Sequence, residues 1–153
     1  MKIISIDPSI ANIGYAIYDQ VKKSLVLGTI HTKTSDSMEE RLLFICRELT
    51  KLIQEHHPEQ AVIEKIPEYS RKRYGTSVNH GSLMRLHRAL GTIQAIFINW
   101  GIPIHMSPAL TMPKAQQKLY AWSISEDASK ASEHARAALI HLERYLRTIG
   151  VKL

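Results

Sequence analysis

Short apolar runs and longer stretches with helical spacing alternate along the chain. Residues 1–7 form an isoleucine-rich run that ends in Asp7 and is followed directly by Pro8. β-branched residues in a run of this length predict a buried strand, which must end here because proline cannot donate to a sheet ladder. Residues 13–18 and 23–32 alternate apolar and polar positions. That alternation predicts two further strands and so a three-stranded antiparallel meander.

A strand–helix–strand unit follows the meander. Apolar residues recur at helical spacing over residues 38–55, and Ser35 or Asp36 is the expected cap of this helix. Residues 60–65 then repeat the opening pattern, because their apolar run also ends in an acid, Glu64. A crossover helix joins parallel strands, so this strand is predicted to lie parallel to the first. If the two strands are neighbours, Asp7 and Glu64 emerge at the same end of the sheet.

The second half of the chain continues with helices. We predict a long helix over residues 78–100, a strand over 102–106, a short helix from Lys114, a mobile polar loop over 125–131 and a final helix capped by Ser132. The expected fold is therefore one α/β domain over residues 1–153. Its five-stranded mixed sheet would have three antiparallel strands followed by parallel strands, with helices on the flanks.

Composition narrows the class of partner and the location. Lysine and arginine outnumber aspartate and glutamate by 20 to 14, which gives a net charge of +6 and favours a polyanion such as nucleic acid. The single cysteine excludes an internal disulfide and a zinc–thiolate site. With no secretory signal and no membrane-length apolar run, we expect a cytoplasmic protein without a membrane partner.

Asp7 and Glu64 are the first candidates for chemistry. Two carboxylates at neighbouring strand ends repel each other unless a divalent cation lies between them. We therefore expect their carboxyl groups to lie within reach of one ion. The alternative for Asp7 is a cap of the turn that begins at Pro8.

Basic and aromatic residues are interleaved in the polar stretch after Glu64. This composition suits phosphate contacts and base stacking, although a solvated loop is the alternative. Two lysines in the short helix extend the basic character. The predicted nucleic-acid contacts are Lys65, Tyr69, Arg71, Lys72, Arg73, Tyr74, Lys114 and Lys118.

Three segments together resemble the RuvC-type Holliday-junction resolvases of the RNase H-like superfamily. They are IISIDPSIANIGYAI at the start, AVIEKI in the middle and SEHARAALIHL near the end, so the resemblance spans nearly the whole chain. It implies an RNase H-like fold and metal-assisted phosphodiester hydrolysis of four-way DNA junctions. It also implies a homodimer, because a near-symmetric junction presents two opposing strands.

The resemblance assigns four site positions. Asp7 matches the first acid and Glu64 the second, and His134 stands where family members carry aspartate or histidine. Ala137 stands where the family has aspartate, so one metal position lacks its carboxylate. The resemblance implies two Mg²⁺ per active site, with Mn²⁺ as a substitute, held by Asp7, Glu64 and His134.

Three functions remain open at this point. The chain is a junction-resolving endonuclease that is weakened or substituted at Ala137, a junction-binding protein without catalysis, or an RNase H-like nuclease that acts on structured RNA. The same acids would serve either nuclease, and phosphate contacts do not distinguish their substrates.

Overall fold

Five strands form one mixed sheet in the computed structural model, which describes residues 1–66 and 80–153, with the backbone alone at residue 80. The strands are β1 (Lys2–Asp7), β2 (Asn12–Asp19), β3 (Ser24–His31), β4 (Gln60–Glu64) and β5 (Ile104–Ser107). Their order is β3-β2-β1-β4-β5. The β1–β2 and β2–β3 pairs are antiparallel, whereas β1–β4 and β4–β5 are parallel. The predicted five-stranded mixed sheet is confirmed.

The described part of the chain contains four α-helices, which pack around the sheet. They are α1 (Met38–His56), α2 (His80–Asn99), α3 (Lys114–Ile124) and α4 (Glu133–Thr148). The stretch predicted as a mobile polar loop, residues 125–131, contains a short 3₁₀ helix over Glu126–Ser129 that the Ser125 side chain caps. Among the described helices, none has both the length and the apolar character that crossing a membrane requires.

Alternation along β1 divides its side chains between two cores. Ile4 and Ile6 face one side, where they pack with residues of α1 and α2 such as Ile45 and Phe97. Ile3 faces the other side and packs with residues of α4 such as Leu139. Because successive side chains of a strand point to opposite faces, Asp7 shares the α4 face with Ile3.

Helix α4 is the element that covers the second face. It contacts β1, β2, β3 and β4, and α3 packs against its outer side. The Tyr120 hydroxyl of α3 donates a hydrogen bond to Glu143 Oε2 of α4 over 2.9 Å. A small residue, Ala138, is fully buried against the sheet. The close packing fixes α4 over the strand ends that carry the acids.

The cap of α1 differs from the expectation. Ser37, rather than Ser35 or Asp36, occupies the N-cap position and forms a capping box with Glu40. Its hydroxyl accepts the Glu40 N–H over 3.2 Å, and Glu40 Oε2 accepts the Ser37 N–H over 2.8 Å. The helix therefore begins where a serine and a glutamate lie three residues apart, which is the spacing the reciprocal bonds need.

Replacing the cap should destabilise the protein. We expect Ser37→Ala to lower the free energy of unfolding by about 1 kcal/mol, because the Glu40 N–H loses its acceptor. Urea denaturation measures the change. Ser35→Ala is the matched control and should stay within about 0.5 kcal/mol of the original chain. Equal losses in the two variants would contradict the assignment of Ser37 as the cap.

Candidate active site

The two acids lie side by side at the carboxyl ends of adjacent parallel strands. Ile6 of β1 pairs with Ile63 of β4, so the register brings the next residues, Asp7 and Glu64, to the same level. Both side chains are on the face that α4 covers. Asp7 is buried, and Glu64 is half-buried. The expectation that the acids emerge at one end of the sheet is met by the parallel pairing of β1 and β4.

The pKa values of the two carboxyl groups are shifted in opposite directions by burial and by their neighbours. Burial raises the pKa of Asp7 to about 6, His134 opposes this shift, and a hydrogen bond and charge from Glu64 add to it. Burial also acts to raise the pKa of Glu64. The interactions of Glu64 with His141 and Asp7 outweigh burial and hold the pKa of Glu64 below its usual value. Glu64 is therefore the member of the pair that stays ionised to lower pH.

His134 of α4 contacts Asp7 directly. Its Nδ1 lies 2.6 Å from Asp7 Oδ2. This hydrogen bond raises the pKa of His134, whereas burial and the positive charge of Lys114 act to lower it. The structure thus brings together Asp7, Glu64 and His134, three of the residues that the resemblance assigns to the site.

A glycine allows α4 to approach so closely. Gly14 pairs with Asp7 across β1 and β2. A Cβ atom at Gly14 would lie 2.1 Å from the backbone C and O atoms of His134. The start of the helix is held from β3 as well, since the hydroxyls of Thr29 and the N-cap Ser132 lie 2.6 Å apart. Any side chain at position 14 would push the first turn of α4 away from Asp7.

Ala137 lies between two histidines of the same helical stripe. It is three residues beyond His134 and four before His141, and these spacings place all three on one face of α4. Ala137 is buried on this face and offers no ligand atom. Within residues 1–66 and 80–153, no group of three or more histidine, cysteine, aspartate and glutamate side chains is arranged to hold a metal ion.

His141 and Ser107 were not foreseen. His141 is fully buried, with Nδ1 2.8 Å from Ser107 Oγ and Nε2 3.6 Å from Glu64 Oε1. The backbone N–H of Leu110 donates to the same Oε1 over 3.2 Å. The helical spacing of positions 134, 137 and 141 is the signal that could have found His141. Ser107 carries no such signal, because its role depends on how β5 pairs with β4.

A buried arginine supports the turn that follows Asp7. Arg41 of α1 donates from Nη2 to the Ile10 carbonyl over 3.0 Å and from Nε to Thr32 Oγ1 over 2.9 Å. The Thr32 hydroxyl also donates to the Ile10 carbonyl over 2.6 Å. These bonds tie the β1–β2 turn to α1. The sequence signal that could have indicated this contact is an arginine at a core position of the amphipathic helix α1.

Three of the predicted basic contacts fall within the described residues, two of them on α3 and one directly after Glu64. Lys114 Nζ lies 2.5 Å from Glu133 Oε1, and its positive charge opposes the rise in the pKa of His134 that the hydrogen bond to Asp7 causes. Lys118 Nζ lies 4.7 Å from the centre of the Trp122 ring. Lys65 directly follows Glu64 and is exposed. The other predicted contacts lie outside the described residues: Tyr69, Arg71, Lys72, Arg73 and Tyr74.

Comparison with known protein families gives a match over most of the chain. The family model described as crossover junction endodeoxyribonuclease RuvC matches residues 3–117. The RuvC protein of Prochlorococcus marinus is 30% identical over 118 residues, which cover 75% of this chain and 71% of that protein. The RuvC protein of Finegoldia magna is 39% identical over 69 residues, which cover 43% of this chain and 42% of that protein. The family match includes Asp7 and Glu64 and ends before α4.

Solved structures share the fold over nearly the whole chain. Thermus thermophilus RuvC in complex with a Holliday junction substrate aligns with a TM-score of 0.71 and 19% identity, over 98% of this chain and 96% of that chain. The fowlpox virus Holliday junction resolvase aligns with a TM-score of 0.56 and 16% identity, over 97% of this chain and 99% of that chain. At these identities the structures demonstrate a common fold, and α4 is part of it.

Filling the space at Gly14 should separate α4 from the sheet. We expect Gly14→Ala to destabilise the fold by about 1–3 kcal/mol, because the new methyl group overlaps the backbone of His134. The ¹⁵N shift of His134 Nδ1 should also lose the signature of its hydrogen bond to Asp7. Urea denaturation and histidine NMR give the two readouts.

Gly91→Ala is the matched control for this substitution. No atom lies within 4 Å of a Cβ built at Gly91 in α2. Alanine is favoured over glycine inside a helix, so this control should stabilise the protein by roughly 0.5–1 kcal/mol. If both variants were stabilised, the close approach at Gly14 would be wrong.

Proposed function

The chain belongs to the RuvC family of crossover junction endodeoxyribonucleases, and we propose that it is a nuclease that resolves four-way DNA junctions by metal-dependent hydrolysis. One observation carries the proposal beyond family membership. Asp7 and Glu64 place two carboxyl groups against each other at adjacent strand ends, beneath a helix that supplies His134. A buried acid pair of this kind is costly to maintain unless a cation or a shared proton relieves the repulsion.

The acid pair fits one divalent cation. RuvC-type nucleases generally depend on divalent metal ions. Mg²⁺ is commonly bound by one or two carboxylates, with water and substrate phosphates completing its shell. Asp7 and Glu64 supply such a pair, and Mg²⁺ is the ion we propose, with Mn²⁺ as a substitute. A second ion, which the resemblance implies, has no carboxylate at Ala137 to hold it.

The other side chains of the site have separate proposed roles in orienting the acid and in binding phosphate. When bound, the cation would supply Lewis-acid activation of water and of the phosphate. His134 holds Asp7 in place and favours its ionised form through the 2.6 Å hydrogen bond. Lys114 and Lys118, on the helix beside α4, are the proposed phosphate contacts, and the basic stretch after Glu64 would extend them. These positive charges would orient the backbone over the acids.

Ala137 gives the second candidate function its support. The alanine stands on the catalytic face of α4 between His134 and His141, where the resemblance calls for aspartate. A chain that keeps its phosphate contacts but lacks one metal ligand would bind junctions and cut them slowly. In the limit it is a junction-binding protein without catalysis.

The proposed partner is branched DNA, and the proposed assembly is a homodimer in the cytoplasm. A four-way junction has near two-fold symmetry, so a C2 dimer would present two sites to opposing strands. Analytical ultracentrifugation of the chain, with and without a synthetic junction, tests this assembly.

Metal-dependent nicking of a synthetic four-way junction is the direct test of the proposed function. Competition with linear duplex DNA and with structured RNA identifies the preferred substrate. Stronger competition by structured RNA would favour a nuclease of the RNA-processing kind. Binding of the junction without nicking, in Mg²⁺ and in Mn²⁺, would favour the binding protein.

Restoring the missing acid should restore cleavage. We expect Ala137→Asp to raise the rate of junction nicking by roughly 10²–10⁴-fold, because a second oxygen ligand regains several kcal/mol of charge stabilisation. Single-turnover nicking in Mg²⁺ and in Mn²⁺ measures the change. Junction affinity in Ca²⁺ should change little by comparison, because the proposed phosphate contacts lie elsewhere.

Ala137→Asn is the matched control, since it adds nearly the same volume without the charge. It should stay close to the original chain in rate. If the original chain already cuts as fast as Ala137→Asp, the alignment of α4 with the family is wrong. In that case Glu133, Asp127 or Glu126 must supply the acid.

The salt dependence of junction binding should report the proposed phosphate contacts. Replacing Lys114 and Lys118 together by glutamine should reduce the slope of log K against log[salt] by about 2, since each lost phosphate contact removes roughly 0.9. Fluorescence anisotropy over a range of salt concentrations measures the slope. Lys22→Gln with Lys23→Gln makes the same charge change near Asp19, at the opposite end of the sheet, and should leave the slope unchanged. Identical slopes in both double variants would remove these two lysines from the interface.

A further inference from the structure

A buried histidine beside Glu64 has no hydrogen-bond partner on one of its nitrogens. His141 is completely buried in α4, and its Nε2 is one of two such buried side-chain atoms among the described residues, the other being Ser5 Oγ. Leaving a buried polar atom unpaired is unfavourable, because the atom has lost its hydrogen bonds to water. Glu64 Oε1 lies 3.6 Å from this nitrogen. A small closing movement would satisfy both groups.

The opposite side of the same ring is held firmly. His141 Nδ1 lies 2.8 Å from Ser107 Oγ, at the end of β5. Ser107 pairs with Glu64 across β4 and β5, so the serine, the histidine and the acid form one compact group. Because the sheet register fixes Ser107, it also fixes the orientation of the imidazole toward Glu64.

We infer that Ser107 and His141 are a positioning pair that orients the Glu64 carboxylate for metal binding. The inference deepens the proposed function and rests on it. The Ser107 hydroxyl donates to Nδ1, which leaves the single hydrogen of the neutral imidazole on Nε2, aimed at Glu64 Oε1. The Leu110 N–H donates to the same oxygen over 3.2 Å. Once the 3.6 Å gap to His141 Nε2 closes, two donors on Oε1 would fix the plane of the carboxylate and leave its other oxygen for a cation.

The alternative protonation state predicts a different role for His141. If Ser107 accepted a hydrogen from Nδ1, a lone pair on Nε2 would face the carboxylate and repel it. That arrangement would be favourable only with a cation between them, which would make His141 a metal ligand. The position of one hydrogen therefore distinguishes a positioning residue from a ligand.

Histidine NMR of the full-length chain tests the inference without relying on cleavage. In metal-free protein with ¹⁵N-labelled histidine, we expect His141 to be the neutral tautomer with its hydrogen on Nε2. Ser107→Ala should change the His141 ring shifts, whereas His105→Asn, also on β5, should not. A hydrogen on Nδ1 with a bare Nε2 would overturn the positioning role.

Mn²⁺ affinity, measured by electron paramagnetic resonance of the free ion, is the second readout. Loss of a partner that orients a metal ligand typically weakens metal binding about 10–100-fold, and we expect this range for Ser107→Ala and His141→Phe. His141→Gln keeps an amide N–H that can reach Glu64 and should recover part of the loss. Ser5→Ala removes a buried serine on the same face of β1 and should leave Mn²⁺ affinity unchanged. Unchanged affinity in Ser107→Ala would overturn the inference, even if His141→Phe failed to fold.

The two proposals fail separately. If the chain and Ala137→Asp both leave junctions uncut while His141 carries its hydrogen on Nε2 and Ser107→Ala weakens Mn²⁺ binding, the nuclease function is wrong and the positioning pair stands. If Ala137→Asp cuts junctions and Ser107→Ala binds Mn²⁺ normally, the positioning pair is wrong and the nuclease function stands.

Discussion

The register of the sheet places one residue from every strand in a single row, and α4 lies across that row. Thr29 pairs with Gly14, Gly14 pairs with Asp7, and Glu64 pairs with Ser107. Asp7 and Glu64 each directly follow the last residue that is paired between β1 and β4, so they lie beside each other. The helix meets the row in the same order. The N-cap residue of α4 contacts Thr29, and the backbone of its first turn lies against Gly14. His134 then contacts Asp7, and His141 lies against Glu64 and Ser107. A one-residue slip in any pairing would turn that strand's contribution to the opposite face.

The acid pair is stable in this row because each carboxyl group has its own histidine. Burial acts to raise the pKa of both acids, and the contact between them adds to this for Asp7. His134 opposes the shift on Asp7, and His141 opposes it on Glu64. The same helix thus supplies both compensating groups, two turns apart. Removing one histidine would leave a buried carboxylate with weaker support, which is the costly case for buried charges.

Local sequence predicted the strands and the acids, because their signals are short-range. An apolar run that ends in an acid occurs twice, and the strand–helix–strand order predicts that the second run lies parallel to the first. That β1 and β4 are neighbours follows from the order of the strands in the sheet, because α1 itself connects β3 to β4. His134 could be assigned only by resemblance, since a histidine near a helix start gives no direction by itself. The roles of Gly14 and Ser107 depend on the path of α4 and on strand pairing across more than 40 residues of sequence. The N-cap of α1 was predicted at the wrong residue because three candidate cap residues are adjacent in the sequence. Only the reciprocal hydrogen bonds with Glu40 identify Ser37 as the cap.

An alanine occupies the position where the resemblance calls for an aspartate ligand, and the contacts around that position are intact. The alanine is buried on α4, and its neighbours on the stripe, His134 and His141, keep their contacts with the two acids. Relative to the aspartate that the resemblance calls for, an alanine carries one negative charge fewer beside Asp7 and Glu64, which would lower the repulsion that the fold must overcome. Under the proposed function, this alanine would favour the folded protein and weaken the hold on a second cation. Stability and catalysis would then be opposed at this single position.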